Sequence, residues 1–205
     1  MRNKDGYIQH RRMWDLAWRM LMHGARTRTV SQWSGISERR VRALVQRYTS
    51  PSDGDVKRPR GKSPYRVEAL LRSPVLRTEG AVFAQTCSAA SYLNLHSDSG
   101  RELHLPDIAG GEKLCTAYEA FKMQFPSSSL TIEQALLVLT ALARADELAL
   151  TQCPQCSAPM LLDRLSTRHH RCHRCSSRVS PLATGGLTNT PSRQEPNIVK
   201  ARLGH

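Results

Sequence analysis

Two Cys-x-x-Cys pairs, Cys153-Pro154-Gln155-Cys156 and Cys172-His173-Arg174-Cys175, stand fifteen residues apart near the C-terminal end of the chain. Each short spacing aims two sulfurs at one point. A hairpin in the intervening residues is expected to bring the second pair opposite the first. Four thiolates then complete a tetrahedron with no open position, so the site reads as structural, and one zinc ion per chain is the expected occupant. Redox pairs are the alternative, but the βαβ setting of a thioredoxin-like motif is missing. His169, His170 or His173 are rival ligands, with His173 expected to point away from the metal. Cys87 and Cys115 fall in expected helices and read as small buried hydrophobes.

The charge balance narrows the class of partner. Thirty Lys and Arg face seventeen Asp and Glu, a net charge of +13. Such an excess attracts polyanions, and the predominance of Arg favours nucleic acid over an anionic membrane surface. No segment has the apolar length of a transmembrane helix, and the polar N-terminus lacks a signal-peptide core, so the expected location is the cytoplasm.

The hydrophobic pattern predicts a mainly α protein: a helical domain with a helix-turn-helix-like N-terminal unit and a C-terminal four-cysteine zinc-ribbon module. The expected divisions are 1–50, a helical DNA-binding unit; 51–64, a basic linker; 65–150, a helical core and partner-contact region; 151–176, the zinc module; and 177–205, a disordered basic tail. A first helix is expected over 8–23, with Trp14, Ala17, Trp18 and Leu21 as a core stripe and Gly24 as its stop. A short helix at 29–33, a turn at Ser34-Gly35-Ile36 and an N-cap at Ser37 lead into a second helix. Its apolar stripe is Val41, Leu44, Val45 and Tyr48. Arg39, Arg40, Arg42, Gln46 and Arg47 occupy the other faces and are the expected DNA-binding residues. Lys57, Arg58, Arg60 and Lys62 form a basic run in the linker. That run reads as a solvated loop or a phosphate-contacting arm that completes the DNA-binding set.

Further helices are expected over 79–95, over 112–125 and from about 131, with a body at 135–148; a polar loop at 96–111 lies between the first two. Leu114, Tyr118, Phe121 and Phe125 share one face of the second. The third opens on a Thr131/Gln134 capping box and is apolar nearly all round, so it should be buried. Around the cysteines, Arg164, Arg168, Arg171 and Arg174 form either a phosphate-contacting face or a solvated one. No catalytic constellation is found: Glu133 and Asp146 read as helix-surface residues, and a closed four-sulfur site is poor for hydrolysis. An enzyme is not expected.

The order of these features resembles the FlhC family of flagellar transcriptional regulators. The likeness runs from about Leu16 to Cys175. It is carried by Met22-His23-Gly24-Ala25-Arg26, by Ile36-Ser37-Glu38-Arg39-Arg40-Val41-Arg42-Ala43-Leu44, and by Ala117-Tyr118 with Phe125-Pro126. The apolar stretch 136–148 running into Cys153 completes it. The resemblance implies a transcriptional activator in a hetero-oligomer with an FlhD-like subunit. That complex binds double-stranded promoter DNA upstream of flagellar operons and helps RNA polymerase. It also implies zinc on Cys153, Cys156, Cys172 and Cys175. Rival readings are a zinc-ribbon protein–protein adaptor without direct DNA readout, and an RNA-binding zinc-ribbon protein.

Overall fold

The computed structural model describes residues 2–48, 66–90, 106–166 and 171–176. Eight helices and one two-stranded antiparallel sheet lie within them. The linker with Lys57, Arg58, Arg60 and Lys62, the residues 96–105 of the expected polar loop, and the tail beyond 176 lie outside the described residues.

Helix α1 spans Arg2–Met22. Leu16, Ala17, Met20 and Leu21 recur on one face and are buried, whereas Trp14 and Trp18 are only half-buried. The expected aromatic core stripe is thus displaced by one residue toward the aliphatic side. The helix closes as a Schellman turn at Gly24: Ala25 N–H donates to the Met20 carbonyl at 2.9 Å and Gly24 N–H to that of Leu21 at 2.9 Å. Helix α2, Thr27–Ser34, follows at once and ends on Gly35, whose φ of 72° any residue with a Cβ resists. Helix α3, Glu38–Tyr48, buries Val41 and Val45. Tyr48, expected in that stripe, is instead exposed and packs edge-on against Trp18, ring centroids 5.8 Å apart.

Helix α4, Val67–Leu71, is a short element without a counterpart in the sequence reading. Helix α5 runs Pro74–Ala89, starting earlier than expected, while residues 91–95 of the expected helix lie outside the described residues. Its start is set by Ser73, whose side chain accepts from Leu76 N–H, and by Pro74 in the first turn, where a missing N–H costs nothing. Helix α6, Ile108–Gln124, is capped by the Asp107 carboxylate, which accepts from Gly110 N–H at 2.6 Å. Residues 108–111, expected in a loop, are therefore its first turn. Helix α7, Ile132–Arg144, opens on the expected Thr131/Gln134 capping box. It stops at Ala145, which takes φ 58°, and so ends short of the expected Leu148. Leu148 instead begins a strand.

The main core lies where α1, α5, α6 and α7 meet, around Phe83, Phe121, Leu16, Met20 and Leu139. As expected, α7 is largely buried. Glu133, expected on its surface, is also buried, and its carboxylate accepts from Arg26 N–H at 2.8 Å, just ahead of α2. A negative charge there meets the positive end of that helix. Arg77 is buried too, and its Nε and Nη1 have no partner among the described residues.

A charged seam joins α1 to α6. The Arg12 guanidinium grips Glu112 at 2.9 and 2.6 Å. Seven residues on, Arg19 grips Glu119, which also takes His23 Nε2 at 2.7 Å. Matching steps along both helices mean that they run parallel. The Arg19 guanidinium holds the Glu119 carboxyl below its ordinary range, with His23 adding to the effect. A depressed carboxyl pKa contributes stability above the ordinary carboxylate range, and that stability is lost as pH falls through the depressed value. Glu119 is about one-third exposed, so screening moderates the effect. Glu119→Gln is expected to lower the urea midpoint at neutral pH and to flatten its decline on acidification. Midpoints of both proteins between about pH 7 and pH 3 test this. Parallel curves would show that the seam is silent.

Candidate functional site

The C-terminal module starts as a hairpin. Strand β1, Leu148–Gln152, pairs antiparallel with β2, Pro159–Asp163, from Leu148↔Asp163 to Gln152↔Pro159. The first cysteine pair sits in the turn of this hairpin. Cys153 N–H donates to the Ala158 carbonyl at 2.8 Å and Ser157 N–H donates to that of Cys153 at 2.8 Å. Ser157, at φ 56°, completes the turn. The hairpin therefore presents the first pair at its own tip, not between the two pairs as the sequence reading expected. The second pair is carried by α8, His173–Ser176, a single turn in which Ser176 N–H bonds the Cys172 carbonyl at 2.9 Å.

The two pairs converge. All four sulfurs lie within 4.8 Å of one another, and Cys156 Sγ is 3.4 Å from Cys172 Sγ. Tetrahedral thiolate coordination at about 2.3 Å places sulfurs roughly 3.8 Å apart, so the cluster has the dimensions of a four-coordinate metal site. All six cysteines are free. Cys153, Cys172 and Cys175 are buried with Met160 and flanked by Ala158, while Cys156 is exposed at the rim. Backbone N–H groups of Cys172, then Gln155 and Cys156, draw the Cys153 thiol down to about 6. The Cys175 thiol is pushed up to about 12, first by its hydrogen bond with Cys156 and then by burial and the other sulfurs. Crowded thiols without a cation must divide their protons in this way, whereas a dication favours the thiolate form of all four. These four cysteines can hold a metal ion.

His169 and His170, with Arg168, lie outside the described residues, and His173 belongs to α8 but its side chain is likewise outside them. Cys87 and Cys115 are buried in α5 and α6, and burial raises both thiols, Cys115 to about 12. Both behave as the small hydrophobes the sequence suggested. Of the nearby arginines, Arg171 and Arg174 are exposed, while Arg164 donates from Nη1 to the Ala145 carbonyl at 2.7 Å, tying the hairpin to the C-terminal end of α7.

The hairpin is also bolted to the helical body. Leu148 and Leu161 are fully buried in the main core. A Cβ placed on Gly80 of α5 would meet Leu161 Cδ1 at 2.8 Å and Val138 Cγ2 at 3.1 Å, so a side chain there would have to displace the end of Leu161. Nothing in the sequence pattern signals that contact.

The expected DNA-binding residues of α3 are all exposed but divide between two faces. Arg39 and Gln46 lie opposite the buried Val41 and Val45. Arg42 lies beside them and pairs with Glu38 at 2.6 Å. Arg40 and Arg47 instead flank a groove shared with Trp14 of α1. Among the described residues, no helix is long and apolar enough to cross a membrane. No protein-family model matches this chain, and no curated protein matches its sequence.

Proposed function

We propose that this chain is a DNA-binding transcription regulator of FlhC type, braced by one structural zinc ion on Cys153, Cys156, Cys172 and Cys175. The observation that carries the reading is the pair α2 and α3. They are joined by a tight turn at Gly35, and α3 faces inward with Val41 and Val45 and outward with Arg39, Arg42 and Gln46. A helix-turn-helix needs this disposition, since the outward face of the second helix must enter the major groove. Arginine supplies bidentate contacts to guanine and glutamine to adenine, and the net charge of +13 supplies attraction to phosphate. An all-sulfur tetrahedral donor set suits zinc, which has no redox chemistry and gains nothing from an open position here.

By the FlhC resemblance, the duplex is promoter DNA upstream of flagellar operons. The partners are an FlhD-like subunit and RNA polymerase, and the compartment is the cytoplasm. Lys57, Arg58, Arg60 and Lys62 then add phosphate contacts. In a salt titration with promoter-length duplex, the logarithm of affinity should fall linearly with the logarithm of salt. Arg39→Gln should weaken binding about tenfold or more, the loss of one good base contact. Arg58→Ala should lower the salt slope by about one unit with little change in sequence preference. Unchanged affinity in Arg39→Gln would remove α3 as the reading helix.

A further inference from the structure

We infer that the groove between α1 and α3 is a docking site for an acidic, amphipathic segment of a partner protein. This goes beyond duplex binding and does not depend on it. The groove has a volume of about 370 Å³ and is lined by Trp14, Arg40, Ala43, Leu44, Arg47 and Tyr48. Its floor is apolar. Trp14 offers ring surface, because its indole N–H is already taken by His10 Nε2 at 3.1 Å. Tyr48 is 60% exposed, an unusual state for an aromatic at a helix–helix junction. Trp, Tyr and Arg around one cleft is the composition that dominates protein-interface hot spots.

The charge around the floor is unbalanced. Neither Arg40 nor Arg47 has a hydrogen-bond or ion-pair partner among the described residues. Two acids of these same helices are committed elsewhere, Asp15 of α1 to Arg11 at 3.6 Å and Glu38 of α3 to Arg42 at 2.6 Å. The two arginines are seven residues apart, so their α-carbons are separated by roughly 10 Å along the helix axis. A partner helix with carboxylates two turns apart and aliphatic residues between them matches that spacing. A nucleic acid strand fits less well. Phosphates would answer the arginines but would leave Leu44 and Ala43 against a charged backbone. The Trp18 and Tyr48 rings also meet at 67°, an arrangement that does not build a flat stacking sandwich.

The test uses the full chain and fluorescence anisotropy. The probes are a labelled peptide of repeating Glu-Leu-Leu-Asp, the same peptide with Leu replaced by Ser, and single-stranded oligothymidylate of equal charge. The first peptide should bind saturably. Its Ser counterpart should bind at least about tenfold more weakly, and so should the first peptide to the Arg40→Glu/Arg47→Glu protein. Ala43→Glu, an exposed change at the groove wall, should do the same and guards against misfolding of the double variant, which circular dichroism checks. Duplex titrations of Arg39→Gln run in parallel, so failure of the duplex reading is seen separately from failure at the groove. Absent peptide binding overturns the inference. So do equal binding of the Leu and Ser peptides, indifference to the groove variants, and tighter binding of the oligonucleotide through the same arginines.

Discussion

Cys172→Ser is expected to strip the metal from the chain and to unfold the tip of the hairpin together with α8, while most helical signal survives. Cys172 is almost fully buried, and serine offers a harder, neutral oxygen in place of a thiolate. Among the described residues, Met160 and Ala158 supply the apolar packing of the sulfur cluster and α8 touches α5, too little to order a turn and a four-residue helix unaided. A structural zinc, the proposed occupant, supplies about 10 kcal/mol or more of binding free energy in isolated fingers, and would be the main source of order there. The base of the hairpin has another anchor, because Leu148 and Leu161 belong to the helical core. Loss should stop near Gln152 and Pro159. Elemental analysis should give one metal ion per native chain and none in the variant. Hydrogen exchange should show lost protection at the cysteine turns and retained protection in α6 and α7. A metal-free variant with the cluster amides still protected would remove the structural role. Cys156→Ser, at the exposed rim, should lose metal as well, since three thiolates do not close the site.

The part of this site that was legible from sequence is the part made by local spacing. A Cys-x-x-Cys turn fixes its two sulfurs without help from the rest of the fold, so the four candidate ligands are named by spacing alone. The route by which the pairs meet depends on where α7 stops. That stop is made by an alanine in left-handed conformation, which carries no sequence signal, so 145–148 read as more helix. The same division runs through the helices. Thr131 with Gln134 announces α7 because the capping box is a contact between near neighbours. The start of α6 was hidden because Gly110 and Gly111 read as loop, although Asp107 caps the helix just before them. Pairing of Arg12 with Glu112, or burial of Glu133 beneath Arg26, joins residues about a hundred positions apart. No periodicity reports such contacts. The arginines of α3 show the same limit: composition marked them as a group, but only packing against Trp14 separates Arg40 and Arg47 from Arg39 and Gln46.

Phe121→Ala is expected to bring the helical body close to unfolding. The chain has only three phenylalanines, and all three meet at one place. Phe121 lies 5.6 Å from Phe83 at 74° and 5.4 Å from Phe125, while Tyr118 closes the group at 6.0 Å from Phe83. Phe83 and Phe121 are fully buried and come from α5 and α6, so this edge-to-face contact fastens those two helices together. The rest of the buried core around this aromatic group is largely aliphatic. Truncating a buried Phe costs about 3–5 kcal/mol, against a total of about 5–15 kcal/mol for a domain. Urea unfolding should show a large fall in midpoint with an unchanged slope. Phe125 is 42% exposed, so Phe125→Ala should cost much less in the same assay. The contrast separates ring burial from mere aromatic contact. A loss in Phe121→Ala no larger than in Phe125→Ala would mean that α5 and α6 are held together elsewhere. The Tyr118 hydroxyl, which donates to the Leu130 carbonyl at 2.8 Å and ties α6 to the start of α7, would then be the next contact to remove.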